Sequence, residues 1–495
     1  MNSDDLNNAY DVIVIGSGAG GSAAAYKLAT QGLRVLVLEK GGELPQDGST
    51  LDFRRVVREG AFKSKEAWRD GYNNEITPEE YFNVGGKTKW YGAALLRYSA
   101  SEFESDYANQ YFGWPLSLKD IEPYYAEAER LLGVRTFECE PDLAKISGAL
   151  ERQSGWRSEA LPLGLKVDIL RDPHEARHFD GFASVAQLKG DGETAFLQHV
   201  RARPNATVVT NAEVCELLCD SDPLQVNGVK LSDGRAFHGR AVILAAGALH
   251  SPRILQRHIA RHELSKSLPN ADVVGRNLKL HLLTAVVAIS AAAKSDLLRK
   301  TRLLTHDDFP RSSVQPLGFD SELIATLIPK IVPMFIAKQI GRRAYGFFLQ
   351  TEDGSHPDNR VRTLKAPDDS IHSVLDYDSR RTLSALKEHH HLVARLKSSL
   401  ARAGLIAFSQ RIGIEGTAHA CGTLIAGSDP LRNVVDAQGR VHGMRGLYVA
   451  DGSVLPRSSR VNPSLTIYAW SLRIAEQLGS TLTNAQTTTE ELLPV

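Results

Sequence analysis

The chain of 495 residues has little cysteine, no excess charge and no long apolar run. Its four cysteines, Cys139, Cys215, Cys219 and Cys421, are scattered. Cys215 and Cys219 have the spacing of half a metal site, but no matching Cys/His pair follows. They read as ordinary thiols, and no metal is expected. So few thiols fit a reducing compartment. Lys plus Arg number 58 and Asp plus Glu number 58. Nucleic-acid binding needs a basic face, so that class is set aside. The stretch closest to a membrane span, Leu323 to Ile340, is broken by Pro329, Lys330, Pro333 and Lys338. It reads as core or an interface helix, not as a transmembrane segment. The first ten residues are polar and lack a basic-then-apolar leader or twin arginines. The expectation is a cytoplasmic protein that is not integral to a membrane. Repeats, low-complexity tracts and long linkers are also missing.

What is present is concentrated first in residues 10–42, YDVIVIGSGAGGSAAAYKLATQGLRVLVLEKGG. An apolar run, Val12 to Ile15, leads into Gly16-Ser17-Gly18-Ala19-Gly20-Gly21, then a helical pattern, then Val35 to Leu38 and Glu39. Gly16, Gly18 and Gly21 spell G-x-G-x-x-G between a strand and a helix. Gly16 permits the tight turn, Gly18 lets backbone N–H groups reach a pyrophosphate, and Gly21 lets helix and strand pack closely. The helix N-terminus offers free amides and a positive dipole end to phosphates. Glu39 stands where a carboxylate accepts from a ribose 2′-OH. This is a dinucleotide-binding start, and the choice between a nicotinamide and a flavin dinucleotide falls to other segments.

Those segments alternate along the chain. Residues 84–98 hold a Gly-rich turn before an apolar run. Residues 120–134 form an amphipathic helix with Pro123 in its first turn. Short strands are expected over 206–219, 226–231 and 236–244. Ser251-Pro252 opens a helix, with Ser251 as N-cap and Pro252 in the first helical position. Residues 285–415 are rich in strand-like runs and read as a separate layer. A last buried strand, Gly446 to Asp451, precedes a helix from Pro463 to Leu478. The dinucleotide domain is therefore built from discontinuous pieces.

Four segments together resemble the glucose–methanol–choline (GMC) oxidoreductases over nearly the whole chain. They are the fingerprint with its Leu38-Glu39-Lys40-Gly41-Gly42 continuation, Gly85-Gly86-Lys87-Thr88-Lys89-Trp90-Tyr91-Gly92, Ala245 to Leu255, and the run from His419 to the C-terminal helix. Val274-Gly275-Arg276-Asn277-Leu278 with His281 is similar to a further turn of that family. The resemblance implies an α/β fold: a Rossmann-like FAD-binding domain with an inserted α+β substrate-binding domain. It divides the chain into FAD-binding pieces 8–98, 186–284 and 419–482, a cap region 99–185 and a substrate-binding piece 285–418. It further implies that FAD is held by Gly16, Ser17, Gly18, Ala19, Gly20, Gly21, Glu39, Lys40, Gly86, Thr88, Trp90, Gly92, Ala93, Val214, Ala246, Gly247, Asp451, Gly452, Pro463 and Ser464. Some relatives attach FAD through a His just before the residue matched by Trp90. Lys89 stands there, so non-covalent FAD is expected.

The resemblance makes His419 and Asn462 the catalytic pair. A neutral imidazole of ordinary pKa, ~6.5, can take an alcohol's O–H proton. An amide N–H₂ can support the developing alkoxide. The carbinol carbon would then pass hydride to the flavin, which carries the redox chemistry. By position alone Asn462 reads as an N-cap before Pro463 ahead of a catalytic residue; the resemblance reverses that order, and the two roles can coexist. Asp451 is either an FAD contact or a turn residue. His250, His281 and His442 take structural readings, and Cys421 lies near the flavin without being a nucleophile. The pairing of His with Asn is similar to the pyranose oxidase and bacterial sugar dehydrogenase branches, which implies a sugar, glycoside or cyclitol-like polyol substrate. The electron acceptor, oxygen or a carrier, stays open. So do a simple aliphatic or aromatic alcohol as substrate, and the hydroxynitrile lyase, fatty-acid photodecarboxylase and non-catalytic subunit alternatives.

Overall fold

A computed structural model of the chain describes residues 10–319, 321–326, 332–365 and 371–491. The first nine residues, part of the segment searched above for a leader, lie outside them. The apolar runs that flank the glycines become β1 (Tyr10–Ile15) and β2 (Val35–Leu38), joined by helix α1 (Ala19–Thr30). Every residue of both strands is buried, as uninterrupted apolar runs in a doubly covered parallel sheet must be. They pair in parallel, Val12 opposite Val35 and Ile15 opposite Leu38. Ala206–Val209 extends the sheet beyond β2, and Ala236–Leu244 extends it beyond β1, both in parallel. Leu447–Val449, from the far end of the chain, joins in parallel beside Ala236–Leu244. Gly228–Leu231 folds back antiparallel on that strand's first half, and Val214–Leu218 pairs antiparallel with Gly228–Leu231. The architecture is the expected Rossmann-like one, with ligand space at the carboxyl ends of the strands.

A second, wholly antiparallel sheet has six strands, in the order 406–411, 282–289, 344–351, 312–316, 302–306, 156–160. One face is covered by the helix Leu383–Arg402, whose Leu392, Leu396 and Leu400 pack on Val286, Phe347 and Leu349. A smaller sheet unites 68–70 and 75–76 with 360–365 and 371–376.

Four local expectations are corrected. The Pro123 helix begins earlier, at Leu118–Leu132, because Ser117 and Asp120 form a reciprocal capping box. Pro123 therefore sits in the second turn, on the exposed face. Ser251 does not cap its helix. His250 holds the cap position, while Ser251 is already helical and its hydroxyl is bound to Asp451. The last helix runs Ser464–Glu491, well beyond Leu478. In this extension the hydroxyls of Ser480, Thr481 and Thr483 bond carbonyls four residues earlier. The Leu323 to Ile340 stretch is two short helices, Ser321–Thr326 and Met334–Gly341. Leu323, Ile324 and Ala325 are core, but Met334, Phe335 and Ile336 are exposed. Only Ala337 and Gly341 of that second helix are buried, so it presents its small residues inward. Pro329 and Lys330 lie outside the described residues.

Candidate active site

Backbone geometry at the first turn sets one end of a cavity of about 550 Å³. Gly16 takes φ +100°, and a Cβ there would meet the Ala245 carbonyl oxygen at 2.4 Å. Gly20 is tighter still, with a Cβ position 1.6 Å from the Ala450 carbonyl oxygen. It is this second contact, invisible in the motif, that seats α1 against the C-terminal strand. A Cβ on Gly21 would strike the Gly16 carbonyl at 2.0 Å, in keeping with its packing role. At Gly18 nothing lies within 4 Å, so its backbone faces open space, as a phosphate cradle requires.

Glu39 closes this end. It is 6% exposed and accepts from the Ser17 amide at 3.0 Å, the Ser17 hydroxyl at 2.6 Å and the Gly41 amide at 2.8 Å. Burial raises its pKa, and these hydrogen bonds oppose that. Asp451 is likewise saturated. Its Oδ2 accepts from Gly247 N and Ser251 Oγ, and its Oδ1 from Ser453 N and Ser453 Oγ. Both acids thus fix turns while lining the cavity, which establishes the turn role expected of Asp451.

Twenty of the twenty-two residues assigned to FAD or catalysis line this one cavity. The exceptions are Gly21 and Ala93. Gly21 packs behind the turn. Ala93 is fully buried at φ +52°, its carbonyl taken by Gly164 N. Cys421 does not line the cavity itself; it is buried against Lys279, directly behind the lining residues Ala420 and Gly452. Side chains to which the sequence gave no binding role line the cavity as well. Arg253 and Arg257 line the cavity from the helix Ser251–Arg261, and the Nε of each is buried without a partner. So is His250 Nε2. Open glycine backbone, a helix N-terminus and two guanidiniums with unused donors are the donor set a phosphate-bearing dinucleotide needs, and the Glu39 carboxylate beside the turn adds an acceptor.

At the other end the reactive pair assembles. Asn462 Nδ2 lies 3.2 Å from His419 Nε2. Gln315 Nε2 donates to Asn462 Oδ1 at 2.6 Å. Asn462 thus turns Nδ2 to His419 and Oδ1 to Gln315, away from the amides of the helix that follows, which sets aside its N-cap reading. Gln315 could not be found from the sequence, since it reaches Asn462 from a strand of the second sheet, 147 positions away. His281 stacks edge-on to His419, ring centroids 4.9 Å apart, and bonds the Ser459 carbonyl through Nε2 at 2.7 Å. His442 bonds the Gly427 carbonyl, away from the cavity.

His419 does not keep an ordinary imidazole pKa. Burial first, then neighbouring His281, Lys300 and Lys87, push it well below 6.5. Lys87 is paired to Glu80 and Lys300 to Asp180, at 2.9 Å for the latter. Gly92 leaves room for that second pair, because a Cβ there would lie 2.2 Å from both charged atoms. The chamber by His419 thus carries polar groups among Leu283, Leu317, Phe319, Phe348 and Ile412. Lys89 is absent from the wall; its ammonium is held between Asp191 at 3.1 Å and Glu193 at 2.9 Å.

Comparison with known proteins agrees with this geometry. Models of the GMC oxidoreductase family match residues 10–283 and 355–471. Paromamine 6′-oxidase of Streptomyces fradiae is 30% identical over 524 residues, covering 98% of this chain and 94% of its own. The 6′′′-hydroxyparomomycin C oxidase of Streptomyces lividus is 30% identical, covering 96% and 92%. Among solved structures, pyridoxine 4-oxidase from Mesorbium loti superposes with a TM-score of 0.64 at 18% identity, covering 96% of this chain and 99% of its own. Formate oxidase of Aspergillus oryzae does so at 0.68 and 14%, with the same coverage. Two family matches over most of the chain, on a fold that brings their segments to one cavity, place it in the GMC oxidoreductase family, as an FAD-dependent oxidoreductase acting on CH–OH groups.

Proposed function

We propose that the chain oxidises a hydroxyl group of a sugar-like polyol, with His419 as the base and Asn462 as its partner on the substrate oxygen. The observation that carries this is the His419–Asn462 contact at 3.2 Å, at the end of the cavity opposite the glycine turn. Burial disfavours the charged form of His419, so its Nε2 carries a lone pair, which accepts from Asn462 N–H₂ in this structure and can turn to an alcohol O–H when substrate enters between them. Gln315 holds the Asn462 carbonyl oxygen, which turns the N–H₂ group toward His419 and the space before it. An alkoxide forming there meets an amide donor already in place, at no reorganisation cost. Apolar walls exclude water, while Lys300 and Asp180 offer hydrogen bonds to hydroxyls remote from the reacting one. Bound FAD supplies the redox chemistry, accepting the hydride. The buried ion pairs of Lys89 support non-covalent FAD, since that side chain is turned away from the cavity. Relatives named for paromamine and hydroxyparomomycin C support a ring polyol over a simple alcohol. The polar groups around His419 favour it over a long apolar acid.

The test is anaerobic flavin bleaching by sugars, glycosides, cyclitols and simple alcohols. Bleaching by a ring polyol is expected, and His419→Ala should slow it by about 10²-fold while FAD stays bound. Bleaching only by aliphatic alcohols, or an unchanged rate in His419→Ala, would overturn the reading. Flavin released by denaturation in acid would establish the non-covalent mode.

A further inference from the structure

Gln315 lies on the strand Ser312–Pro316 of the second sheet, and only 2% of it is exposed. Its Nε2 donates to Asn462 Oδ1. Its Oε1 accepts from no described residue, yet it is not sealed in, and the side chain lines the cavity that holds His419 and Asn462. Gln350, on the neighbouring strand, makes the contrast. Its Nε2 donates to the Arg460 carbonyl at 2.9 Å, and its Oε1 is sealed from any ligand. Ser313 Oγ donates to the same carbonyl at 2.7 Å. These two bonds clamp the chain two residues before Asn462, so Gln315 meets a fixed target from a fixed strand. Its neighbours on the cavity wall, Leu317 and Phe348, offer no donor. A glutamine whose sole task is to hold Asn462 has no use for its other end. A carbonyl oxygen buried among such side chains is costly to leave unpaired, and a ligand that brings a donor removes the cost.

We infer that Gln315 selects the substrate: its Oε1 accepts from a hydroxyl or amine on the carbon next to the one being oxidised. The inference rests on alcohol oxidation taking place at His419. Asn462 Nδ2 marks where the reacting oxygen stands, and Gln315 is joined to Asn462 amide to amide. Oε1 is thus separated from Nδ2 by one hydrogen bond and two amide groups. Two oxygens on adjacent ring carbons, each with its own hydrogen bond, span that path. An ether or a bare methylene at the neighbouring carbon leaves Oε1 unpaired, so the site ranks a vicinal diol or amino alcohol above a simple alcohol.

The experiment uses the full chain with FAD and three ring alcohols: trans-cyclohexane-1,2-diol, its mono-O-methyl ether and cyclohexanol. Anaerobic flavin reduction gives kcat and KM, and calorimetry gives affinity. The diol should exceed both others about tenfold in kcat/KM, the scale of one hydrogen bond, chiefly through KM. In Gln315→Met that preference should fall toward one. Gln315→Glu separates the two ends of the side chain. Its carboxylate still accepts from the diol, so the preference should stay. It cannot donate to Asn462, whose amide then turns its oxygen to His419 and takes up the base's lone pair, so kcat should drop about 10²-fold at alkaline pH. As pH falls and the buried carboxyl gains its proton, an O–H donor returns and kcat should rise, where the wild type stays level. Equal use of the three alcohols by the wild type, in rate and in calorimetry, would overturn the inference. So would a preference that survives Gln315→Met, or a Gln315→Glu profile parallel to the wild type. Failure of all three to reduce the flavin, with the diol still preferred in calorimetry, would instead overturn the oxidation reading.

Discussion

His419 shows what a sequence motif withholds about a single residue. The family resemblance of its segment offered an expected role, but not its surroundings. Burial and three nearby basic side chains lower its pKa, so its neutral, proton-accepting form persists below pH 6.5. Flavin reduction by substrate should therefore stay level as pH falls through 6.5, where an unperturbed imidazole would lose half its activity, and decline only in stronger acid. Replacing Lys300 by Met removes a cation and leaves the Asp180 carboxylate behind. Both changes favour the charged imidazole, so the acid decline should move to higher pH. Stopped-flow reduction across pH reads both, and an acid limb unmoved by Lys300→Met would show that Lys300 does not tune His419. The residues legible in advance were those whose job is local: Gly16 for its turn, Glu39 at the strand end. Gln315, Lys300 and Asp180 were not, because each acts through a partner far away in the chain, and no spacing rule connects them. Gly20 shows the same limit inside the motif itself, since its tight neighbour, Ala450, lies at the other end of the sequence.

Elements were legible where one periodicity decided them. The doubly buried runs of β1 and β2 and the short strands before Ala245 follow from the pattern alone. Helix ends were less so, because side chains there had competing partners: Ser251 serves Asp451 instead of its own helix, and Ser117 captures a start upstream of the apolar stripe. The helix Leu383–Arg402 holds a residue the sequence offered no reason to notice. His389 is fully buried and bridges Thr284 Oγ1 at 2.7 Å and Thr351 Oγ1 at 2.9 Å, tying helix to sheet. Burial, aided by Arg411 and His390, lowers its pKa to about 3. The unfolded chain, with a pKa of ~6.5, binds a proton there that the folded chain refuses. Stability from this group is complete above pH 6.5 and drains as pH falls toward 3, by about 1.4 kcal/mol per pH unit. His389→Gln keeps a donor and an acceptor but cannot titrate. The stability gap between wild type and variant, from denaturant melts at pH 7, 6, 5 and 4, should shift in the variant's favour by that slope. A pH-independent gap would mean that His389 is not buried neutral.

At the scale of the whole molecule, the site depends on how far-apart pieces are clamped together. Asn462 belongs to a loop that passes from the Rossmann-like sheet to the last helix, and three acids from elsewhere hold it. Glu102 accepts from Ser459 Oγ and Arg460 N, Asp353 from Ser458 Oγ, and Glu352 forms a two-pronged pair with Arg457 at 2.8 and 2.6 Å. Glu352 ends nearest the antiparallel sheet's strand Ala344–Thr351, so this pair joins the second sheet to the loop that carries Asn462. Both side chains are almost wholly buried, at 7% and 1% exposure. Burial pushes the Glu352 pKa up, and Arg457 works against that. Removing one partner strands the other charge in the interior, a cost of about 3–5 kcal/mol, whereas removing both is often close to neutral. Glu352→Gln should therefore lower the melting temperature sharply, and Glu352→Gln with Arg457→Met should recover most of it. Flavin reduction should stay slow in the double variant, because the loop has lost the anchor that sets Asn462 beside His419. Thermal melts and anaerobic reduction rates of the two variants separate these effects. Full recovery of rate together with stability would mean that Glu102 and Asp353 alone are enough to place Asn462.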